Sequence, residues 1–325
     1  MSHSVLLLVP LLVLPVVLLL GFAGCVGEDA VQQAEAQGKE EGQKTAQDAA
    51  AAQAAQAAAA AAAQKAAAQY DNVILADPNL VAYWRLGELQ PDDATAKDSA
   101  PGHLDGEYKN LLGVSRGQAG ALSLAKDPND KAPEFDGGQG FVEVPYQVLL
   151  NPPLDFSIEA WARPTGTPLQ AEVVLGSYEL DASGTCVRGF VLEVVPDATG
   201  LLARATLGSG TGSIVVEASF GDGSEHDGWR HMVVTYNTGA RSLKLYVNAD
   251  NGIPRSELPS STSPAPVLYA PNQSTPLRIA AGHADQPTMG TPAHFFKGRI
   301  DEVALYRATL TGPTIRSHFL AAITP

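Results

Sequence analysis

From residue 80 onward the chain is built of short apolar or alternating runs, set apart by clusters of Gly, Pro, Asp and Asn. The runs fall at 80–86, 140–145, 156–163, 172–178, 188–195, 213–220, 229–236, 243–248, 276–280 and 298–306. Most are rich in β-branched or aromatic residues. Segments this short cannot lay down the long 3.6-residue stripe of a buried helix, but they match the length and composition of strands. Many strands at such spacing predict an all-β sandwich or barrel. In one run Phe156, Ile158, Ala160 and Ala162 alternate with Ser157, Glu159, Trp161 and Arg163. That period of two predicts a sheet with one face on a core. The clear helix signal is terminal: residues 314–322, with Thr311 placed to cap and Pro313 in the first turn. Six prolines from Pro254 to Pro276 predict a long irregular loop there.

The first 69 residues are of another kind. Residues 5–20 read VLLLVPLLVLPVVLLL and lead through Gly21-Phe22-Ala23-Gly24 to Cys25. An apolar run followed by small residues has the form of a signal peptide over 1–24. Small residues before a Cys resemble the lipobox of bacterial lipoproteins, in which the Cys, here Cys25, is lipidated. The run is also about long enough to span a bilayer as an uncleaved anchor. Both readings place the rest of the chain outside the cytoplasm and tether it to a membrane. Residues 28–69 hold 20 Ala and 9 Gln, both good helix formers. No Leu or Ile seam runs through them, so a heptad coiled coil is not expected. The stretch 25–69 therefore reads as a tether, helical or disordered, and leaves 70–325 as the folded domain. The two cysteines, Cys25 and Cys186, build no disulfide framework if the first is lipidated.

Six strings in the folded part resemble, in order, the laminin G-like jelly roll of the concanavalin A-like lectin/glucanase superfamily. They are VAYWRLGE (81–88), FDGGQGFVEVP (135–145), FSIEAWARP (156–164), GWRHMVVTYN (228–237), SLKLYVN (242–248) and FKGRIDEVALYRATLT (296–311). The resemblance covers about 230 residues. It implies an all-β, two-sheet jelly-roll sandwich with a short C-terminal helix. It says little about function, since this fold hosts lectins, hydrolases, adhesins and passive modules.

Catalysis is not expected; a glycoside hydrolase, the third and least favoured reading, would need two carboxylates about 5–10 Å apart in a cleft. The E-x-D-x-x-E strand motif of the superfamily's glucanases is absent from the sequence. Asp301 and Glu302 are adjacent, and neighbours on a regular strand point to opposite faces. The net charge of −14 lacks the basic stripe that a nucleic-acid partner requires. The resemblance implies a structural calcium near the Asp of the I-D-E-V strand. That position is Asp301, with Glu88 or Asp98 as companions. Sugar rings stack on aromatic rings, which directs attention to Trp84, Trp161 and Trp229. All three lie in the family-like strings and suit packing roles. Trp161 shares its parity with Glu159 and Arg163, so these three could form part of a groove. Otherwise Glu159 and Arg163 pair across Trp161. His231 is expected to serve a hydrogen-bonded strand role. The chain thus reads as a non-catalytic surface module for a polysaccharide or glycoprotein, or as an adhesive module for a protein. A cleft with exposed aromatics favours the first, a flat apolar patch the second.

Overall fold

The computed structural model describes residues 69–323 apart from 91, 123–126, 128, 199, 222–227, 249–260, 265 and 285–290, together with Lys44, Gln47 and Gln53. The chain divides into two compact units, Met1–Ala62 and Ala63–Pro325. In the first unit the three described residues are helical and exposed. The apolar run and Cys25 lie outside the described residues. Among the described residues, no helix is long and apolar enough to cross a membrane.

The second unit opens with a short helix, α1 (Tyr70–Leu75), and closes with α2 (Gly312–Ile323). Between them run β1 (Leu80–Trp84), β2 (Thr95–Ala96), β3 (Gly106–Lys109), β4 (Val114–Ala119), β5 (Lys131–Asp136) and β6 (Phe141–Val144). The middle holds β7 (Phe156–Pro164), β8 (Glu172–Leu180), β9 (Cys186–Asp197), β10 (Gly200–Gly208), β11 (Ser213–Ser219) and β12 (Arg230–Asn237). The last are β13 (Ser242–Asn248), β14 (Ser261–Thr262), β15 (Leu277–Ile279), β16 (Gly282–His283), β17 (Pro292–Ala293) and β18 (Lys297–Tyr306). Sheet A has the order β14-β13-β12-β7-β18-β5-β4, with β1 also paired to β18. Sheet B has the order β11-β10-β9-β8-β15-β6-β3-β2.

The two sheets pack face to face as a sandwich. Phe156, Ile158, Ala160 and Ala162 of β7 enter the same core as Phe190, Leu192 and Val194 of β9 and Ala203, Ala205 and Leu207 of β10. The Phe156 ring lies 5.6 Å from Phe190 and 5.1 Å from Tyr269. The alternation in β7 therefore points its apolar set inward, as the sequence predicts.

The other face of sheet A departs from the expectation of one core face. It is covered by a second cluster, in which Tyr70, Ile74, Ile315, Phe319 and Ala322 of the two helices meet Trp161, Val233, Ala304 and Tyr306. Helix α2 presents Ile315, His318, Phe319 and Ala322 at i, i+3, i+4 and i+7, the spacing of one helix face. Its start follows the sequence signal: Thr314 N–H donates to Thr311 Oγ1 at 3.3 Å. Helix α1, with six residues, is too short to show a period and has no counterpart in the sequence reading. The proline-rich stretch also contains a strand, β14.

Candidate functional site

The polar positions of β7 come to lie beneath the helices. Glu159 and Trp161 are both 0 % exposed. Glu159 accepts from Tyr70 Oη at 2.8 Å and from Tyr306 Oη at 2.9 Å. His231 Nε2 lies 2.7 Å from one carboxylate oxygen and His318 Nδ1 2.9 Å from the other. Burial would raise the Glu159 pKa, but His318 and His231 outweigh it and hold the carboxyl well below the usual range. Burial lowers that of His318, and Glu159 more than reverses this. Trp161 Nε1 donates to Tyr70 Oη at 3.3 Å, and its ring stacks on Phe319 at 5.9 Å. The expected groove of Glu159, Trp161 and Arg163 is therefore not formed, because α2 fills the space above the first two. An ion pair of Glu159 with Arg163 is replaced by the two histidines. His231 has the hydrogen-bonded strand role expected of it, and all three tryptophans are buried. Arg163 alone is partly exposed; it lines a hollow of about 580 Å³ with Glu134, Thr165, Thr167 and Phe220.

The acidic residues of β18 do converge. Asp130, Asp301 and Glu302 are buried and place one carboxylate oxygen each within 4.8 Å of the others. A regular strand would forbid this for adjacent residues. Here the pairing of β18 with β7 shifts register between Asp301 and Ala304, and Glu302 has φ 53°. This bulge turns the neighbouring carboxylates toward one site. Asp301 Oδ2 accepts from Ala121 N–H at 2.7 Å, and Glu302 accepts from Tyr83 Oη. Arg85 meets Glu302 at 3.2 Å, Asp130 at 3.6 Å and Asp71 at 3.5 Å. Burial, then Asp130, pushes the Asp301 carboxyl well above its usual range; burial and Asp71 do the same for Glu302.

Two oxygens bound to one calcium at about 2.4 Å can be no more than about 4.8 Å apart. The three carboxylates meet that limit, and their hard oxygen donors suit this ion. Asp130 and Arg85 also border a hollow of about 330 Å³. Of the companions expected for Asp301, Glu88 borders the same hollow, but neither it nor Asp98 is among the three converging carboxylates. Asp98 accepts from the backbone N–H groups of Tyr83, Ala100 and Leu104 at 2.7–2.9 Å. Glu88 accepts from Lys97 N–H at 2.8 Å and Tyr108 Oη at 2.9 Å. These are loop-fixing roles, and the sequence could not show that Asp130 replaces them.

The solvent face of sheet B carries a site the sequence reading missed. Cross-strand register aligns Glu193, Arg204 and Glu217 in one row and Val191, Thr206 and Val215 in the next. Arg204 Nε lies 2.7 Å from Glu217 Oε1. With Tyr178, Leu180, Cys186, His283 and His294 these side chains border a hollow of about 380 Å³. Burial raises the Glu193 pKa against the pull of Arg204. The paired strands β16 and β17 border it, and there His283 N–H donates to Tyr178 Oη at 2.8 Å. A Cβ on Gly282 would lie 2.4 Å from that oxygen, so the close approach requires glycine. Cys186 is a buried free thiol, with its pKa pushed up to about 12 by burial and Glu193. The alternation of polar and apolar residues in β9–β11 was the available signal, but it gave no hint of which strands stand side by side.

A fourth feature is apolar. Val148, Leu149 and Leu154 are exposed and border, with Leu80, Pro152 and Pro153, a hollow of about 470 Å³. The exposed large apolar side chains among the described residues are aliphatic, so an aromatic stacking platform is not found there.

A family profile described as the concanavalin A-like lectin/glucanases superfamily matches residues 136–316. No curated protein matches the chain. Among solved structures, a Trypanosoma rangeli sialidase in complex with 2,3-difluoro-KDN is similar with TM-score 0.50 and 13 % identity, over 76 % of this chain and 33 % of that one. The binding domain of Paraclostridial Mosquitocidal Protein 1 gives 0.49 and 16 %, over 74 % and 52 %. Domain 4 of a GH43 extracellular arabinanase from Geobacillus stearothermophilus, in complex with arabinotriose, gives 0.47 and 15 %, over 74 % and 98 %. The chain thus spans about half of the second and a third of the first. At these identities the likeness is one of fold.

Proposed function

The chain belongs to the concanavalin A-like lectin/glucanase superfamily, and from that premise we propose that it is a non-catalytic module recognising a polysaccharide or glycoprotein. Among the described residues no aromatic ring is exposed as the sugar reading expected, and what supports the proposal instead is the polar hollow on the solvent face of sheet B. Its volume of about 380 Å³ is within the usual range of small-molecule sites, about 300–1,000 Å³. Carboxylates, a guanidinium and imidazoles offer acceptors and donors for hydroxyls, and Val191 and Val215 offer an apolar floor. Binding without hydrolysis is favoured because Arg204 stands between Glu193 and Glu217 in the register and is paired to the latter. The full chain on a glycan array, with product analysis of each bound glycan, tests this. Binding lost in Arg204→Ala, with no product released, is expected; no bound glycan, or a shortened one, counts against it.

A protein-binding, adhesive role is the second reading, favoured by the exposed Val148, Leu149 and Leu154. It predicts that Leu149→Asp abolishes attachment to cells or matrix while glycan binding is unchanged.

The carboxylate cluster supports a structural calcium held by Asp130, Asp301 and Glu302. A raised carboxyl pKa means that stability from that group is present below about pH 4 and lost as pH rises through the folded value. A cation offsets the loss. EDTA should therefore lower the melting temperature at pH 7 and leave it unchanged near pH 4; no effect at pH 7 would remove the ion from the account. Surface anchoring through Cys25 completes the proposal. Lipid labelling should vanish in Cys25→Ser; unchanged labelling would end the lipoprotein reading.

A further inference from the structure

We propose that the hollow on sheet B selects a neutral sugar over an acidic one, with His283 Nε2–H as the donor that receives a sugar oxygen. This rests on the glycan-binding reading above and narrows it.

His283 is 2 % exposed. Its ring stands edge-on to Tyr178 at 4.9 Å. Nδ1 lies 3.0 Å from Arg278 Nη1. A guanidinium can only donate, so Nδ1 must accept and the ring proton sits on Nε2. Arg278 is itself fixed, by Glu143 Oε2 at 3.0 Å and the Gly282 carbonyl at 3.0 Å. The tautomer is therefore imposed by the fold. The Nε2–H that results is buried and meets no acceptor at full hydrogen-bond geometry, although the Pro276 carbonyl is near enough to oppose the lowering of the ring's pKa. A second imidazole nitrogen on the border of the same hollow, His294 Nδ1, is also buried without a hydrogen-bond partner. A buried donor left unpaired gives up its hydration without compensation. A ligand that brings an acceptor supplies that compensation.

The charge around the donor decides which acceptor. Burial, then Arg278, lowers the His283 pKa to about 4, with the Pro276 carbonyl acting in the opposite sense. His283 thus contributes a hydrogen without a positive charge at neutral pH. The hollow's guanidinium, Arg204, is paired at 2.7 Å to Glu217 and lies opposite Glu193 in the register. A uronate or sialate carboxylate would meet two carboxylates against one guanidinium that Glu217 already engages. Neutral hydroxyls can donate to those carboxylates and accept from His283, while Val191 and Val215 receive the C–H face of a ring. A metal at the imidazoles is not favoured: among the described residues the His, Cys, Asp and Glu side chains that converge at ligating distance are Asp130, Asp301 and Glu302.

The test uses the full chain on an array of neutral, uronate-bearing and sialylated oligosaccharides, followed by titration of the tightest binder. Neutral glycans should bind and acidic ones should not. His283→Phe, which removes the donor, should weaken binding at least tenfold. If that variant does not fold, Val215→Arg, at a more exposed position on the border of the hollow, should block binding with the melting temperature kept. Acidic glycans binding in preference would overturn the proposal and leave glycan recognition standing. Neutral binding indifferent to Val215→Arg would move the site elsewhere and also overturn it. Failure of every glycan to bind removes the broader reading together with this one.

Discussion

Single residues in this protein take their roles from what is packed above them. Glu159 sits on a strand face that alternation marks as polar, yet it is fully buried and held by two tyrosines and two histidines. Removing one partner of a buried charged network costs about 3–5 kcal/mol, because the others stay buried without compensation. Glu159→Ala should lose about that much in urea unfolding with an unchanged slope. A loss under about 1 kcal/mol would mean that the network contributes little. The pH dependence follows from the two shifts. The lowered Glu159 pKa gives stability present above its unfolded value of about 4.3 and lost as pH falls through the folded value. The raised His318 pKa gives stability present below about 6.5 and lost as pH rises through its folded value. The network therefore stabilises most between about pH 4.5 and 6.5. Melting temperatures against pH should show an alkaline decline that His318→Gln removes.

At the scale of elements, two features decide where chemistry can occur. Helix α2 closes the outer face of sheet A, so the groove expected around Trp161 is interior. Phe319 stacks on Trp161 and is itself fully buried. Phe319→Ala should cost about 3–5 kcal/mol. It should also shift tryptophan emission to the red as the Trp161 indole becomes hydrated, while Trp84 stays in the core between the sheets. Unshifted emission in a folded variant would show that the helix does not shield the indole. The bulge in β18 is the second feature. It sets Asp301 and Glu302 side by side, against the strict period of two, and no residue in the string I-D-E-V announces it. The short elements were equally silent. Helix α1 and strands β2, β14, β16 and β17 have too few residues for a period to form. Pairing, not pattern, creates them.

Over the whole molecule, the sandwich joins distant parts of the chain. Strand β1 pairs with β18, with Leu80 opposite Tyr306, and β7 lies between β12 and β18. Such non-local pairing must close long loops before contacts reward it, and all-β domains of this kind fold in milliseconds to seconds. Stopped-flow refolding should show a main phase in that range or slower; a microsecond phase carrying the full amplitude would contradict the topology. The sequence by itself determined the strand character of the domain, its jelly-roll family, the inward set of β7, the capped terminal helix and the packing roles of Trp84 and Trp229. Each is set by local period, composition or a chain-long string of motifs. Only the tertiary structure decided which polar residues share a site. Asp130 replaces Glu88 and Asp98 beside Asp301, and His283 joins Glu193, Arg204 and Glu217 on sheet B. Those groupings depend on strand order, on a bulge and on the lie of short elements. All three are consequences of long-range packing that a reading of neighbours along the chain does not contain.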